Sequence, residues 1–447
     1  MRILLILILL LQACSSNKVY QVSTNAEIIS FWEKFEDKYL NDLVKEGLKS
    51  NNDILIAMVN VNKAQSALHI SEADRLPRID LAASGSKKRD SENMKTTFFH
   101  RPYNSFFFSA VINYQIDLWG KMANANKSAR EQLLALDSTK KSVQITIASE
   151  ISKAYFNIIA LDNKISIYNE LLSITEKLYD LQNKKFKVGN IDNIELNNYA
   201  SQIHMVNSQL LDLKQQLVYQ ETSLKILLGR KDFDQEIIRS KKLNQVNIVF
   251  PGKIPSKLLL ERPDILAAEH ILKSAKYNVK VARADYFPEI SLSNFIGFGS
   301  NSLNNLFKTP SRNRGILVES TVPVIDFGRT KNNVEYTKEV ESQSLIEYQQ
   351  TVRIAFGEAI NSLSTYKTIQ KDLANLSDNE KLYSRSFKLT EKQFKIGFVD
   401  YISVIESQKR FLYSKIKIVN SSLLSVDSTI NIFKTFAGNI KVDATNS

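Results

Sequence analysis

Few residues in this 447-residue chain have the types and spacing to do chemistry. The four histidines (His69, His100, His204 and His270) are scattered, with no H-x-x-x-H or H-x-x-E-H spacing that would hold a metal. There is no glycine-rich phosphate loop and no nucleophile elbow. The chain therefore reads as a non-enzyme without a metal or cofactor, and energy for any transport must come from a partner or a gradient elsewhere. Carboxylates do recur after two glycines: Asp192 and Glu195 follow Gly189, and Asp400 and Glu406 follow Gly397, with Tyr401 between them. Two readings are open for Asp192 and Asp400. They are either helix N-caps or, with several copies around one axis, rings of negative charge that favour cations and repel across a pore. Glu406 lies too deep in its helix to cap and reads as a lumen residue. Tyr401 is read as a lumen residue or as one buried between helices.

The single cysteine, Cys14, excludes a disulfide framework and a cysteine-based metal site. It closes the stretch MRILLILILLLQAC, in which Arg2 is a minimal basic region and Ile3 to Leu11 a short apolar one. Such a run spans about 14 Å as a helix, and a bilayer core needs about 20 residues, so residues 1–13 read as an export signal. Leu11, Ala13 and Cys14 resemble a bacterial lipoprotein box, with Gln12 a less usual middle residue. The resemblance implies that Cys14 becomes the lipid-bearing N-terminus. Ser15, rather than Asp, at the next position fits delivery to the outer membrane. An ordinary signal peptide with an incidental cysteine is the alternative.

The elements that must position the paired carboxylates come in two copies. NNDILIA (51–57) matches RPDILAA (262–268), and ADRLPRIDL (73–81) matches ADYFPEISL (284–292), both at an offset of 211. The pairs Gly120/Gly328, Glu150/Glu358 and Gly189/Gly397 are offset by 208. The change of three falls between Leu81 and Gly120, where the first copy has a longer loop. Constant spacing over this length marks a tandem duplication.

In each copy a helix of moderate length (about 38–72 and 257–285) precedes two strand-like runs. In the second run of the first copy, Phe106, Phe108, Ala110, Ile112, Tyr114, Ile116 and Leu118 alternate with Ser109, Asn113, Gln115 and Asp117, as in a strand apolar outside and polar inside. The cluster Phe106–Phe108 reads as an interface girdle, with core packing as the alternative. Gly120 and Gly328 mark strand-to-helix junctions. After each comes a helical tract (122–187 and 330–395), a turn at Gly189 or Gly397, and a returning helix (192–230 and 399–437). Apolar residues at 151, 155, 158, 161, 165, 168 and 172 form a coiled-coil-like stripe. A 66-residue tract extends about 99 Å, far beyond a bilayer, so these helices project into an aqueous compartment.

The expected organisation is a signal peptide (1–13) and a first repeat (14–230) holding a β-hairpin (76–119) and a long helical hairpin (122–230). An equatorial linker (231–256) leads to a second repeat (257–438) with a β-hairpin (288–327) and a helical hairpin (330–437), then a tail (439–447). Four strands cannot close a barrel, and open edges are not viable in lipid. The chain must complete its ring with other copies, eight strands in a dimer or twelve in a trimer. The formal net charge of +12 is spread along helical faces without a dense basic block, which argues against nucleic acid.

The junction glycines, the paired turn glycines, IPSKLLLERPDILAAEH (254–270) and ARADYFPEISL (282–292) together resemble the TolC-type outer-membrane factor family. The likeness is greatest to its lipoprotein branch, which serves resistance-nodulation-division multidrug efflux systems, and it covers nearly the whole mature chain. Lys257 stands where that branch often has an acidic residue, and DFGR (326–329) is one residue shorter from Asp to Gly than DLWGK. The resemblance implies a mainly α chain with a transmembrane β-barrel portion. It implies a homotrimer with a twelve-stranded β-barrel continued by a twelve-helix α-barrel across the periplasm. It also implies a gate near Asp192, Glu195, Asp400, Tyr401 and Glu406. The turns Val188-Gly189 and Ile396-Gly397 would meet a periplasmic adaptor protein, which joins an inner-membrane pump. Arg262 and Asp264 read more simply as a helix cap tying down the equator than as a functional pair. The expected function is a passive exit duct for drugs or other small molecules. Protein secretion, metal efflux and a non-channel spacer lipoprotein are the alternatives.

Overall fold

A computed structural model of the chain describes residues 31–89, 102–243 and 259–437. Cys14, the signal segment, His100, Lys257, the tail 439–447 and the second half of the linker (244–256) lie outside the described residues.

The first copy opens with α1 (Lys38–Ser50) and α2 (Asn52–Ala73), where the sequence suggested one continuous helix. Asn51 breaks it: its backbone is extended, and its side-chain oxygen accepts from the Asp53 and Ile54 amides, starting a new helix. β1 (Arg78–Lys88) and β2 (Tyr103–Ile116) follow, then α3 (Lys121–Lys187) and α4 (Asn193–Leu227). The second copy comprises α5 (Pro263–Ala284), β3 (Glu289–Ser300), β4 (Arg312–Thr321), α6 (Arg329–Lys395) and α7 (Tyr401–Thr435). The expected helix is broken at residues 261–262: residues 259–260 are helical, and α5 itself starts at Pro263, a position where the proline's missing N–H costs nothing. Helices α3 and α6 each have 67 residues, and α4 and α7 each have 35. Sixty-seven residues extend about 100 Å. Among the described residues no helix is long and apolar enough to cross a membrane.

The strands form one antiparallel sheet in the order β1-β2-β3-β4. Register places Ile79, Leu81, Phe106, Phe108, Ile112, Leu292, Ile296, Ile316 and Val318 on one face. Arg78, Ser84, Ser109, Asn113, Ser293 and Glu319 lie on the other. The phenylalanine run is thus split rather than being one cluster. Phe106 and Phe108 lie on the apolar face, whereas Phe107 is on the polar face with its ring over Gly299. Strand β4 stops at Thr321, short of the sequence expectation of a strand reaching Phe327. Pro323 has no amide to give a ladder, and the chain then turns through Phe327 at a φ of 52°.

The core lies where both copies meet α1. Phe31 stacks on Phe433 at 4.0 Å, and Trp32 and Phe35 close the cluster against Phe433 and Phe156. Tyr155, Ile158 and Ile159 of α3 and Ile430 of α7 are fully buried there. Farther along α3 the buried positions are Leu171, Ile174 and Leu178, one residue ahead of the expected Leu172. A 3.6-residue helical period drifts against a strict heptad in this way.

Candidate functional site: hairpin tips and strand-to-helix junctions

At each tip the helix ends in the same hydrogen-bonded turn. Gly189 and Gly397 adopt φ values of 77° and 76°, the left-handed region that glycine reaches without cost. The Asn190 amide donates to Lys185 and that of Phe398 to Gln393, closing the last turn by six-to-one bonds. Nothing lies within 4 Å of where a Cβ would stand at either glycine. Val188, Ile194, Ile396 and Phe398 project from these turns into open space.

Asp192 Oδ1 accepts from the Glu195 amide at 2.8 Å, and Asp400 Oδ1 accepts from the Ser403 amide at 2.9 Å and its hydroxyl at 2.7 Å. Both carboxylates therefore cap their helices. The bonds from Ser403 hold Asp400 below the usual carboxylate range, so it stays charged. Tyr401 is exposed rather than sandwiched between helices, and its ring leans on Phe394 at 5.2 Å. The two tips lie side by side. Lys409 Nζ, on α7, donates to Gln202 Oε1 of α4 at 2.8 Å and stands 3.5 Å from Glu406. Burial raises the pKa of Tyr199, and Glu195 and Glu406 raise it further, so an acid from each copy approaches one phenol. No sequence signal pointed to Lys409, Gln202 or Tyr199, because the contact joins residues of different copies that are not repeat equivalents.

At the upper ends of α3 and α6, Gly120 and Gly328 adopt φ values of 73° and 86° and occupy the N-cap positions. Neither can cap with a side chain, and an upstream aspartate does so instead. Asp117 accepts from the Met122 and Ala123 amides at 3.2 and 2.8 Å, and Asp326 from the Gly328 and Thr330 amides at 2.9 and 2.8 Å. The one-residue shift of Asp326 relative to Asp117 is thus absorbed locally. Trp119 stacks on Phe287 at 4.7 Å and donates to the Pro288 carbonyl at 2.8 Å. Lys121 Nζ reaches Asp285 at 2.8 Å and Glu289 at 2.6 Å. The first junction is thereby fastened to the second copy.

Arg262, 7% exposed, binds Asp264 through two nitrogens, reaches Glu358 at 2.8 Å and donates to the Thr435 carbonyl at 3.1 Å. It fastens the start of α5 to α6 and α7. Among the described residues no group of His, Cys, Asp and Glu could hold a metal ion.

The Outer membrane efflux protein family model matches residues 43–230 and 254–434, that is, both copies. The chain is 27% identical over 409 residues to the solvent efflux pump outer membrane protein SrpC of Pseudomonas putida, covering 91% of this chain and 86% of that one. It is 24% identical over 431 residues to the cation efflux system protein CusC of Escherichia coli, covering 95% and 92%. The Campylobacter jejuni CmeC outer membrane channel matches with a TM-score of 0.83 at 25% identity, over 97% of this chain and 92% of that one. The outer-membrane channel OprN matches with a TM-score of 0.84 at 20% identity, which bears on the fold alone. With two matched segments, paired tips and paired junctions in agreement, the chain belongs to the outer membrane efflux protein family, whose members are channels and not enzymes.

Proposed function

We propose that the chain is the outer-membrane exit duct of a tripartite efflux pump and conducts small molecules passively from the periplasm to the exterior. The observation that carries this reading is the four-stranded sheet, apolar on one face and polar on the other, continued by helices about 100 Å long. In the proposed assembly the apolar face meets lipid and the polar face lines the lumen. Three copies supply twelve strands and twelve long helices, a count that closes both rings without an open edge. Cys14 carries the lipid anchor. The turns Val188-Gly189 and Ile396-Gly397 dock on a periplasmic adaptor, which connects the duct to an inner-membrane pump of the resistance-nodulation-division class.

Glu195, Glu406 and Tyr401 lie near the periplasmic mouth of the duct. Asp192 and Asp400 act there first as caps, and their charges add to the mouth's negative field. The named relatives export solvents and cations, so small organic molecules and metal ions are both candidate substrates of the duct. Single-channel recording on purified protein in planar bilayers tests the duct. Discrete conductance is expected, and its absence even after Glu406→Gln and Asp400→Asn would sink the reading. Loss of drug or metal tolerance on deletion, restored by the wild-type gene, tests the efflux role.

A further inference from the structure

The sheet has two ends. Arg78, Ile116, Glu289 and Thr321 adjoin the helices, while Lys88, Tyr103, Ser300 and Arg312 lie at the far end. Register assigns the strand residues to faces, and the charges divide unequally between them. Arg78, Asp80, Lys88, Glu289 and Glu319 all belong to the polar face. The apolar face of the described strands has no carboxylate, and its charged residues are Lys87, Arg312 and Arg314. All three stand within the last three residues of their strands at the far end. The repeat does not require them there. Arg78 lies opposite Asn113 and Glu289 opposite Thr321, so β2 maps onto β4 at the offset of 208. The counterparts of Arg312 and Arg314 are Asn104 and Phe106, which carry no charge.

The connection from β3 to β4 extends the pattern. It folds back over the apolar face, where the Phe307 ring meets Phe108 at 5.7 Å and Phe298 at 5.6 Å in T-shaped contacts. Phe108 and Phe298 are themselves directly opposed in the ladder. The Ser311 hydroxyl donates to the Asn305 carbonyl at 2.8 Å, and Leu306 is buried, which holds the connection in shape. Phe307 still remains 65% exposed. Arg312 stands opposite Phe298, and Lys308 directly follows Phe307. From residue 290 to 318 the sequence contains no Asp or Glu, and its cations are Lys308, Arg312 and Arg314. All three are exposed, and none makes an ion pair among the described residues.

A cation facing hydrocarbon is costly at mid-depth and tolerated near an interface, so these residues mark where a lipid-facing band ends. Successive residues on one face of a strand are about 6–7 Å apart. Two guanidinium forks at that spacing can each bind a phosphate through two parallel hydrogen bonds. We infer that Lys308, Arg312 and Arg314 bind the phosphate groups of a glycolipid in the outer leaflet, with its acyl chains against Phe108, Phe298 and Phe307. The inference rests on the reading of the chain as an outer-membrane duct with periplasmic helices, which puts the far end of the sheet at the outer leaflet. Charge selects the occupant. Three unpaired cations, on a face without a carboxylate, favour a phosphate dianion over a zwitterionic headgroup. The exposed phenylalanine beside them is suited to an acyl chain and gives nothing to a free phosphate ion.

The test titrates the full-length protein in detergent with bisphosphorylated lipid A and, separately, with its dephosphorylated counterpart. Native mass spectrometry counts the lipid that stays bound. The wild type is expected to bind the phosphorylated form at least about tenfold more tightly. Arg312→Gln with Arg314→Gln should abolish that preference, while Phe307→Ala should weaken both lipids alike. Equal binding of the two lipids by the wild type, or an undiminished preference in the double variant, overturns the site. Displacement of bound lipid A by millimolar inorganic phosphate also overturns it, since a simple anion site would then suffice. Should the double variant fail to reach the membrane, salt decides with the wild type alone. Affinity for bisphosphorylated lipid A should fall as salt rises and that for the dephosphorylated form should not. Two equally flat salt responses overturn the site. Single-channel recording separates this failure from that of the duct. A wild-type protein that conducts without preferring the phosphorylated lipid overturns the site and leaves the duct standing. One that neither inserts nor conducts overturns the duct and, with it, the outward face on which the site depends.

Discussion

Asn51 Nδ2 donates to the carbonyl oxygen of Leu227 at 2.8 Å, joining the start of α2 to the end of α4. The second copy makes the same link with different chemistry, since Arg262 Nη1 donates to the carbonyl of Thr435, the counterpart of Leu227. Where the copies diverged in residue type, the mechanical connection persisted. Asn51→Ala removes both the cap of α2 and the donor to Leu227, and should cost about 1–3 kcal/mol. The midpoint of thermal unfolding in detergent, or better the heat stability of the oligomer, reads this loss.

Arg262→Ala withdraws the cation from Asp264 and Glu358 and leaves the Thr435 carbonyl without its donor. Glu358 is half-exposed, which screens its share, so a loss of about 1–3 kcal/mol is expected. Glu358→Gln should cost less, because Arg262 keeps Asp264. Equal losses in the two variants would refute this ordering.

Gly120→Ala and Gly328→Ala place a Cβ on a left-handed backbone and should each cost about 1–2 kcal/mol. Asn at either position should cost less, since it tolerates that region. Comparing the unfolding midpoints of the Ala and Asn variants checks the order.

Asp427 of α7 has a buried Oδ1 with no hydrogen-bond partner among the described residues. Burial pushes its pKa from 3.8 up to about 6, with Lys153 opposing and Glu150 adding to the rise. The folded protein therefore holds a proton that the unfolded chain releases between about pH 4 and 6, and stability falls as pH rises through that window. Asp427→Asn should raise the unfolding midpoint at pH 7.5, with the gain vanishing near pH 4. A gain independent of pH would rule out titration of Asp427 as the cause.

Asp400→Ala should free the first turn of α7, at a cost of about 1 kcal/mol, and speed amide exchange at residues 401–403. Asp400→Asn keeps a capping oxygen and removes the charge. Channel properties altered by Ala alone would assign Asp400 to capping, while equal changes in Ala and Asn would assign its charge to the mouth.

The sequence by itself determined the duplication, the element order and the positions of the turn glycines. These depend on local geometry: a period of two against 3.6, and left-handed turns that need glycine. The break at Asn51 and the early stop of β4 were also written locally, in an asparagine and a proline, but apolar periodicity masked them. Only the tertiary structure decided which groups meet across the copies, such as Lys121 with Glu289 and Lys409 with Gln202, and that Arg262 meets Glu358 within the second copy. It also decided that Asp192 and Asp400 turn back onto their own helices. Such pairings join residues far apart in the chain or depend on a rotamer, and neither leaves a periodic trace. The Asp-to-Gly spacing differs between the copies, and only the paired strands show that the difference falls after the ladder rather than within it.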